Sequence, residues 1–141
     1  RGRLLDAMQP MLNEPDAGTL RGWIDAQDER AKFYLTARLL RLRQEHPRLF
    51  SKGTYRPLDA GSETAPWLAF LRQHEESALL VVVPRFPGTR QGDEHVAFQI
   101  HEQMVQDRPW RDVLTGASLE GGSRLHTAHL PLPWAVCILQ E

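Results

Sequence analysis

The chain has 141 residues, 41% of them hydrophobic, which is enough apolar material for one compact unit with a buried core. Basic and acidic residues nearly balance, 17 against 18, and lie scattered along the sequence, so the charge pattern argues against a nucleic-acid partner. No apolar run approaches the roughly 20 residues that span a bilayer, and the first residues lack the layout of a secretion signal. We therefore expect a cytoplasmic protein without a membrane partner, and the single cysteine, Cys137, agrees with that compartment.

The first 50 residues have the pattern of helices. Apolar residues at helical spacing predict an amphipathic helix from the start of the chain to about Asn13: Leu4, Leu5, Met8, Met11 and Leu12. A turn cluster at Pro15, Asp16 and Gly18 should end it. Because the chain begins in the middle of this pattern and without methionine, we expect it to be the tail of a longer protein.

A second helix is predicted to begin after Asp25, with Asp28 three residues on in a weak capping box, and to run to Pro47. Its residues divide into two apolar arcs, Leu35, Leu39 and Leu42 on one side and Phe33, Ala37 and Leu40 on another, and one polar seam, Tyr34, Arg38, Arg41 and Glu45. Two apolar arcs indicate a helix that is covered on two sides. Either its own domain supplies both covers, or a missing domain supplies one of them.

From Gly53 onward, short apolar runs alternate with turns. We predict strands in seven segments: "TYRPL", "WLAFLR", "ALLVVVPR", "HVAFQIHEQ", "WRDVLTG", "RLHTAHLPL" and "WAVCILQ". The spacing favours an antiparallel β-sandwich or barrel over βαβ units, and the continuously apolar "LLVVV" should be a central strand covered on both faces. The predicted fold class is therefore α+β, with a helical segment at 1–50 and an all-β domain at 51–141.

The search for catalytic, cofactor or metal sites gives negative expectations. His126 and His129 should point to opposite faces of a strand, and "HEQM" at His101 lacks the second histidine of a zinc helix. Cys137 lies in an apolar strand and is interpreted as a buried structural thiol. The pairs Glu75-Glu76 and Asp93-Glu94 are interpreted as solvated charge in polar turns. The segment "GTRQG" at 88–92 lacks the lysine and the following helix of a phosphate loop and is only a weak phosphate signal. We expect no catalytic residue, no cofactor-binding residue and no metal ligand.

Tryptophans are the remaining candidates for a function. Trp67 and Trp110 are candidate glucan contacts, because a flat aromatic ring on an exposed strand face can stack on a sugar ring. The alternative, which we favour, is that both are core or domain-interface residues, since they lie in otherwise apolar strand patterns. Trp23 and Trp134 are interpreted in the same way.

Several motifs, taken in order, resemble the C-terminal end of α-amylase-superfamily enzymes: "LLRLRQEHPRLF", "GTYRPL", "WLAFLR", "ALLVVVPR", "WRDVLTG" and "LPLPWAVCILQ". The first is similar to the last helix of the catalytic (β/α)8 barrel and the others to the all-β C-terminal domain. More narrowly, "DERAKFYLTARLLRLRQEHPRLFSKGTYRPL" followed by "VVVPR" resembles the malto-oligosyltrehalose synthases. The resemblance covers most of the chain from Trp23 onward through short, mainly structural motifs, and the sequence departs from the family between Arg85 and Trp110.

The resemblance implies an enzyme whose catalytic residues lie outside this sequence. The family's aspartate nucleophile, glutamate acid/base and second aspartate stand at the ends of barrel strands, and none maps onto this chain; Arg111-Asp112 only superficially echoes the nucleophile's context. Through that barrel, a retaining double displacement would convert the reducing-end α-1,4 linkage of a maltooligosaccharide into an α,α-1,1 linkage, without a metal or organic cofactor.

For the chain itself, the resemblance implies a non-catalytic part, and the uncovered side of the second helix could make the isolated chain a dimer. Three alternatives stay open: the C-terminal domain of another α-amylase-superfamily glycosidase, an independent glucan-binding β-sandwich module, and a small enzyme.

Overall fold

The computed structural model describes residues 2–61, 65–85 and 95–140, which form helices and antiparallel strands. The helices are α1 Gly2–Asn13, α2 Ala17–Asp25, α3 Glu29–Glu45, α4 Pro47–Lys52 and the single turn α5 Gln103–Gln106. The strands are β1 Arg56–Pro57, β2 Trp67–His74, β3 Ser77–Pro84, β4 Ala97–Gln99, β5 Trp110–Asp112, β6 Ser118–Leu119, β7 Arg124–His126 and β8 Ala135–Leu139. None of the described helices combines the length and the apolar character that crossing a bilayer needs.

Six of the strands form one antiparallel sheet in the order β1-β2-β3-β8-β5-β6, and β4 pairs with β7 in a separate two-stranded sheet. The hairpin of β2 and β3 turns at Glu75-Glu76, the predicted solvated turn, where Glu75 has a positive φ of 55°. Since β3 lies between β2 and β8, the prediction of "LLVVV" as a central strand is confirmed, but its expected cover on both faces is incomplete, because Val83 is 37% exposed. The α+β class is confirmed at the level of helices and an antiparallel sheet.

The large sheet has a hydrophobic cluster on each face, because consecutive side chains of a strand point to opposite sides. On one face, Leu80 of β3 and Cys137 of β8 pack with Phe98 of β4, Leu125 of β7 and Val105 of α5. The other face packs on helices α1 to α4 through a second set of residues: Met8, Leu12, Leu20, Tyr34, Leu42, Leu49, Leu79, Val136 and Ile138. This second cluster joins residues from both sides of the predicted 50/51 boundary. That boundary stays a prediction.

Helix α2 was missed, and the predicted start of the next helix was wrong. The predicted turn at Asp16 is instead the N-cap of α2: its carboxylate accepts a hydrogen bond from the Thr19 amide at 3.2 Å and one from the Thr19 hydroxyl. These bonds lower the pKa of Asp16. Asp25 ends α2, and Asp28 caps α3 by accepting from the Arg30 amide at 2.9 Å. An aspartate in a turn and an aspartate at an N-cap give the same sequence signal, which explains the error.

Helix α4 begins at the proline that was expected to end the preceding helix. Pro47 occupies the first turn of α4, a position where its missing N–H costs nothing. The chain therefore bends at His46, whose amide donates to the Leu42 carbonyl at 3.0 Å, and continues as a second helix that buries Leu49. The prediction of an end near Pro47 is confirmed, but the continuation was not predicted.

Two residues of the polar seam of α3, Tyr34 and Arg38, are buried, whereas Glu45 of the same seam is exposed. Arg38 is only 6% exposed and Tyr34 is fully buried, whereas Leu40 is 56% exposed. The reason is the loop after β5: Tyr34 Oη donates to the Leu114 carbonyl at 2.8 Å, and Arg38 Nε donates to the Val113 carbonyl at 2.8 Å. Buried carbonyls need donors, and this side of α3 supplies them.

Candidate functional site

Neither predicted glucan contact is available to a ligand in this structure. Trp67 is 3% exposed and Trp110 is 1% exposed, and both pack in the cluster on the sheet face opposite the helices. The indole of Trp67 also stacks on the imidazole of His95, with ring centroids 6.4 Å apart. A ring with no open face cannot stack on a sugar. Trp23 and Trp134 are partly buried against the helix-side cluster.

The nucleophile and acid candidates are structural. Cys137 is fully buried, and burial together with the nearby Asp112 carboxylate raises its thiol pKa, so the interpretation as a structural thiol is confirmed. Asp112, which the sequence did not single out as buried, accepts from the Thr115 hydroxyl at 2.6 Å and from the Leu114 amide at 3.4 Å. Desolvation raises the pKa of this carboxyl in spite of those bonds. Its role is to hold the loop that α3 contacts.

The two histidines expected on opposite faces lie side by side. His126 ends β7, and the chain then enters a 3-10 turn at Thr127–His129, which brings residues i and i+3 onto one side. The ring centroids of His126 and His129 are therefore 5.3 Å apart. The prediction of opposite faces was wrong because it assumed that the strand continued through His129.

No described residues form a group of three or more metal-ligating side chains. His101 lies just before α5 and is exposed, with Glu102 at the N-cap position. Glu102 pairs instead with Arg56, at 3.0 Å between Oε1 and Nε. Both "GTRQG" and Asp93-Glu94 fall within 86–94, outside the described residues.

The described residues leave an apolar groove on the helix side of the sheet, with a volume of about 370 Å³. Its walls are α3, α4 and strands β2 and β3, and the side chains that form it include Leu39, Phe50, Tyr55, Phe70, Arg72 and Val81. The helices cover Leu79, Val136 and Ile138 on this face, and α4 reaches Arg72 of β2 but leaves the groove open. Leu68 and Val83, directly paired across β2 and β3 beyond the groove, are exposed as well.

Aromatic and aliphatic side chains dominate the groove. Tyr55 is 62% exposed and its ring lies 5.0 Å from that of Phe70, at an angle of 40°. Among the residues that line the groove Arg72 is the one charged side chain, and its Nη2 already donates to the Phe50 and Gly53 carbonyls at 2.9 and 3.1 Å. The groove therefore offers apolar contact area and few hydrogen-bonding groups.

One sequence signal could have found this groove. In "WLAFLR", period-2 alternation places Trp67, Ala69 and Leu71 on one face of β2 and Leu68, Phe70 and Arg72 on the other. Both faces are largely apolar, which predicts that both are covered by other parts of the protein. In this structure the face of Trp67, Ala69 and Leu71 is buried, whereas Leu68 on the other face is exposed. No comparable signal marks Tyr55, since its exposure depends on where α4 ends.

Comparisons with protein-family models and with curated proteins find no match to this chain.

Proposed function

We propose that this chain is the non-catalytic C-terminal part of a cytoplasmic enzyme that isomerises the reducing-end α-1,4 linkage of maltooligosaccharides to α,α-1,1, in the synthesis of maltooligosyl trehalose. Its own task is to pack against the catalytic barrel and stiffen it, while the substrate binds in the barrel. The observation that carries the docking role is the uncovered apolar groove between α3 and β2. The choice of enzyme rests on the motif resemblance.

The groove supports a protein partner because of its composition and its position. It continues the helix-side hydrophobic cluster outward, so a partner seated there would extend an existing core. Leu39, which lines the groove, and Leu40, on the other apolar arc of α3, are both exposed. This arrangement supports the expectation that α3 is covered on two sides. The sheet of this chain covers one side, and a protein partner would cover the other.

The same composition disfavours a glucan as the occupant. Sugar hydroxyls require several hydrogen-bonding groups, and a ligand that leaves its polar groups unpaired loses affinity. Arg72 Nη2 is engaged with two backbone carbonyls, and Arg72 Nε, which has no partner, is buried, so the lining exposes few hydrogen-bonding groups to a sugar hydroxyl. Tyr55 alone provides an exposed aromatic platform. We therefore rank the independent glucan-binding module below the docking role.

The first test is the mass of the native polypeptide in its own cell extract, measured by immunoblot with an antibody to this chain and by intact mass spectrometry. We expect a species several times heavier than 16.1 kDa, with the barrel and its carboxylates in the additional sequence. A native species of 16.1 kDa would contradict the proposal, because no barrel would be present to supply the catalytic carboxylates.

A second test addresses the groove itself in the isolated chain. An uncovered apolar face should drive self-association, so sedimentation velocity should detect a dimer that increases with concentration. Leu39→Gln and Leu40→Gln together should return the chain to a monomer, while Lys32→Gln, an exposed change on the same helix, should not. A monomer at high concentration in the unsubstituted chain would count against the docking role.

A third test separates the glucan-binding module from the docking role. Titration with maltopentaose, followed by tryptophan fluorescence and by calorimetry, should give no saturable binding to the isolated chain. Saturation that is lost in Tyr55→Ala but kept in Lys32→Gln would favour the module. Turnover of maltopentaose by the isolated chain would instead indicate a small enzyme.

A further inference from the structure

Among the residues that the structure describes, His126 and His129 form a pair whose chemistry the docking role does not use. Both imidazoles are exposed, and their ring centroids are 5.3 Å apart with an angle of 51° between the ring planes. A 3-10 turn holds the two side chains on the same side, since residues three apart eclipse one another in that conformation. The turn is itself fixed, because the Thr127 amide donates to the Val96 carbonyl at 3.0 Å and the Val96 amide donates to Thr127 Oγ1 at 3.0 Å.

The ring nitrogens of this pair are open to a ligand. Within the described part of the chain, neither imidazole takes part in a hydrogen bond or an ion pair. Both rings line a cleft of about 350 Å³ between the β6 region and the turn, which leaves room for water molecules beside them. Two charged side chains share the cleft, Glu120 and Arg124, so its net charge does not repel a cation.

The separation of the rings matches the geometry of a chelate. A metal–nitrogen bond to histidine is about 2.0–2.1 Å and the ring centre lies about 1 Å beyond the nitrogen, so two imidazoles on one tetrahedral ion have centroids roughly 5 Å apart. Imidazole is a preferred ligand of copper, zinc and nickel ions, and Cu²⁺ binds most tightly of the divalent series. We propose that His126 and His129 chelate one divalent transition-metal ion, with water molecules from the cleft completing the coordination.

Such a site would do more than hold an ion. The two ligands belong to the end of β7 and to the turn that follows it, so a bound ion would tie the turn to the two-stranded sheet. Binding to the folded chain alone raises its stability by mass action, and the melting temperature should therefore increase with metal concentration. This proposal stands whether or not the docking role is correct.

The test uses the full chain without an affinity tag, titrated with Cu²⁺ and separately with Zn²⁺ in a buffer that does not chelate. Calorimetry should give one ion per chain. His126→Ala and His129→Ala should each weaken binding by about 100-fold, because the second ligand of a chelate binds at high effective concentration. His101→Ala, which removes an exposed histidine outside the pair, should leave binding unchanged.

A spectroscopic measurement distinguishes a chelate from an adventitious ion. The electron paramagnetic resonance spectrum of the Cu²⁺ complex should contain hyperfine structure from two imidazole nitrogens, and one in each single variant. Since both side chains are exposed, the variants should keep the far-ultraviolet circular dichroism of the parent chain. Equal affinity in the parent and in His126→Ala, a one-nitrogen spectrum in the parent, or the absence of stoichiometric binding would each overturn the proposal.

Discussion

The two sides of α3 differ in what they contact. Tyr34 and Arg38 lie in the core and donate hydrogen bonds to the loop after β5, whereas Leu39 and Leu40 are exposed. The buried side is the more polar one, because the Val113 and Leu114 carbonyls enter the core together with their apolar side chains. Which side chains of α3 are buried therefore depends on the need of these carbonyls for hydrogen-bond donors as much as on the hydropathy of the side chains.

Of the substitutions that test this contrast between buried and exposed residues of α3, Arg38→Ala should have the largest effect on stability. It leaves the Val113 carbonyl without its donor and removes an aliphatic stem that packs in the core, so the free energy of unfolding should fall by about 3 kcal/mol. Urea unfolding followed by circular dichroism measures this fall. Arg43→Ala on the exposed part of the same helix is the matched control and should change stability by less than about 0.5 kcal/mol. Equal losses of unfolding free energy in the two variants would show that the hydrogen bond from Arg38 to the Val113 carbonyl does not stabilise the fold.

Asp112, the last residue of β5, stabilises the loop after β5 through its side chain. Asp112→Ala removes the acceptor of the buried Thr115 hydroxyl and of the Leu114 amide, and should cost about 2 kcal/mol of unfolding free energy at neutral pH. Differential scanning calorimetry and urea unfolding should agree on the loss. Asp107→Ala, at an exposed aspartate after α5, should have little effect.

The raised pKa of Asp112 fixes the sign of a pH effect. The folded chain holds this proton more tightly than the unfolded chain, so the contribution of Asp112 to stability is full below its ordinary pKa of 3.8 and is lost as pH rises through the higher folded value. Asp112→Asn does not titrate. Unfolding measured from pH 4 upward should therefore show the variant gaining stability relative to the parent chain as pH rises, and a constant difference would contradict the shift.

Tyr34→Phe tests the second donor and should have a smaller effect. The loss of the hydroxyl leaves the Leu114 carbonyl unpaired but keeps the packing of the ring, so we expect a loss of about 1 kcal/mol. Burial raises the pKa of Tyr34 to about 12, consistent with a hydroxyl that stays protonated and keeps donating. Tyr55→Phe, at the exposed tyrosine of the groove, should leave the urea midpoint unchanged.

The smallest effect is expected at the exposed leucine of the same helix. Leu40→Gln should change the unfolding free energy of the monomer by less than about 0.5 kcal/mol, because more than half of the side chain is already in water. Chemical denaturation at low concentration, where the chain is monomeric, is the appropriate measurement. A loss above about 1.5 kcal/mol would mean that the side chain is packed, and the contrast between the two sides of α3 would disappear.

The elements that the sequence predicted are those with a long, regular pattern. The end of α1 near Asn13, the hairpin of β2 and β3, and β8 all follow from periodicity and from turn residues close in sequence. The missed helices depend on a choice that local sequence leaves open: Asp16 could cap or turn, and Pro47 could end a helix or begin one.

The candidate site was less predictable because it depends on distant contacts. Burial of Tyr34 and Arg38 requires the loop at 113–115 to meet α3, about 75 residues away in sequence, as the Arg38 to Val113 bond illustrates. The groove requires knowledge of where α4 stops covering β2. Juxtaposition of His126 and His129 requires only that β7 end one residue before Thr127, yet the ends of strands are poorly marked in sequence.

The shortness of the two outer strands of the large sheet also limits how copies of this chain can meet. Both β1 and β6 are two residues long, β1 contains Pro57, and the chain after β1 bridges from Asp59 to Gln99 beside β4. An added strand needs a row of free backbone groups, and neither border offers one of useful length. Growth of the sheet from molecule to molecule, the usual route to fibrils, is therefore disfavoured, and the association expected of this chain is a closed one through side chains.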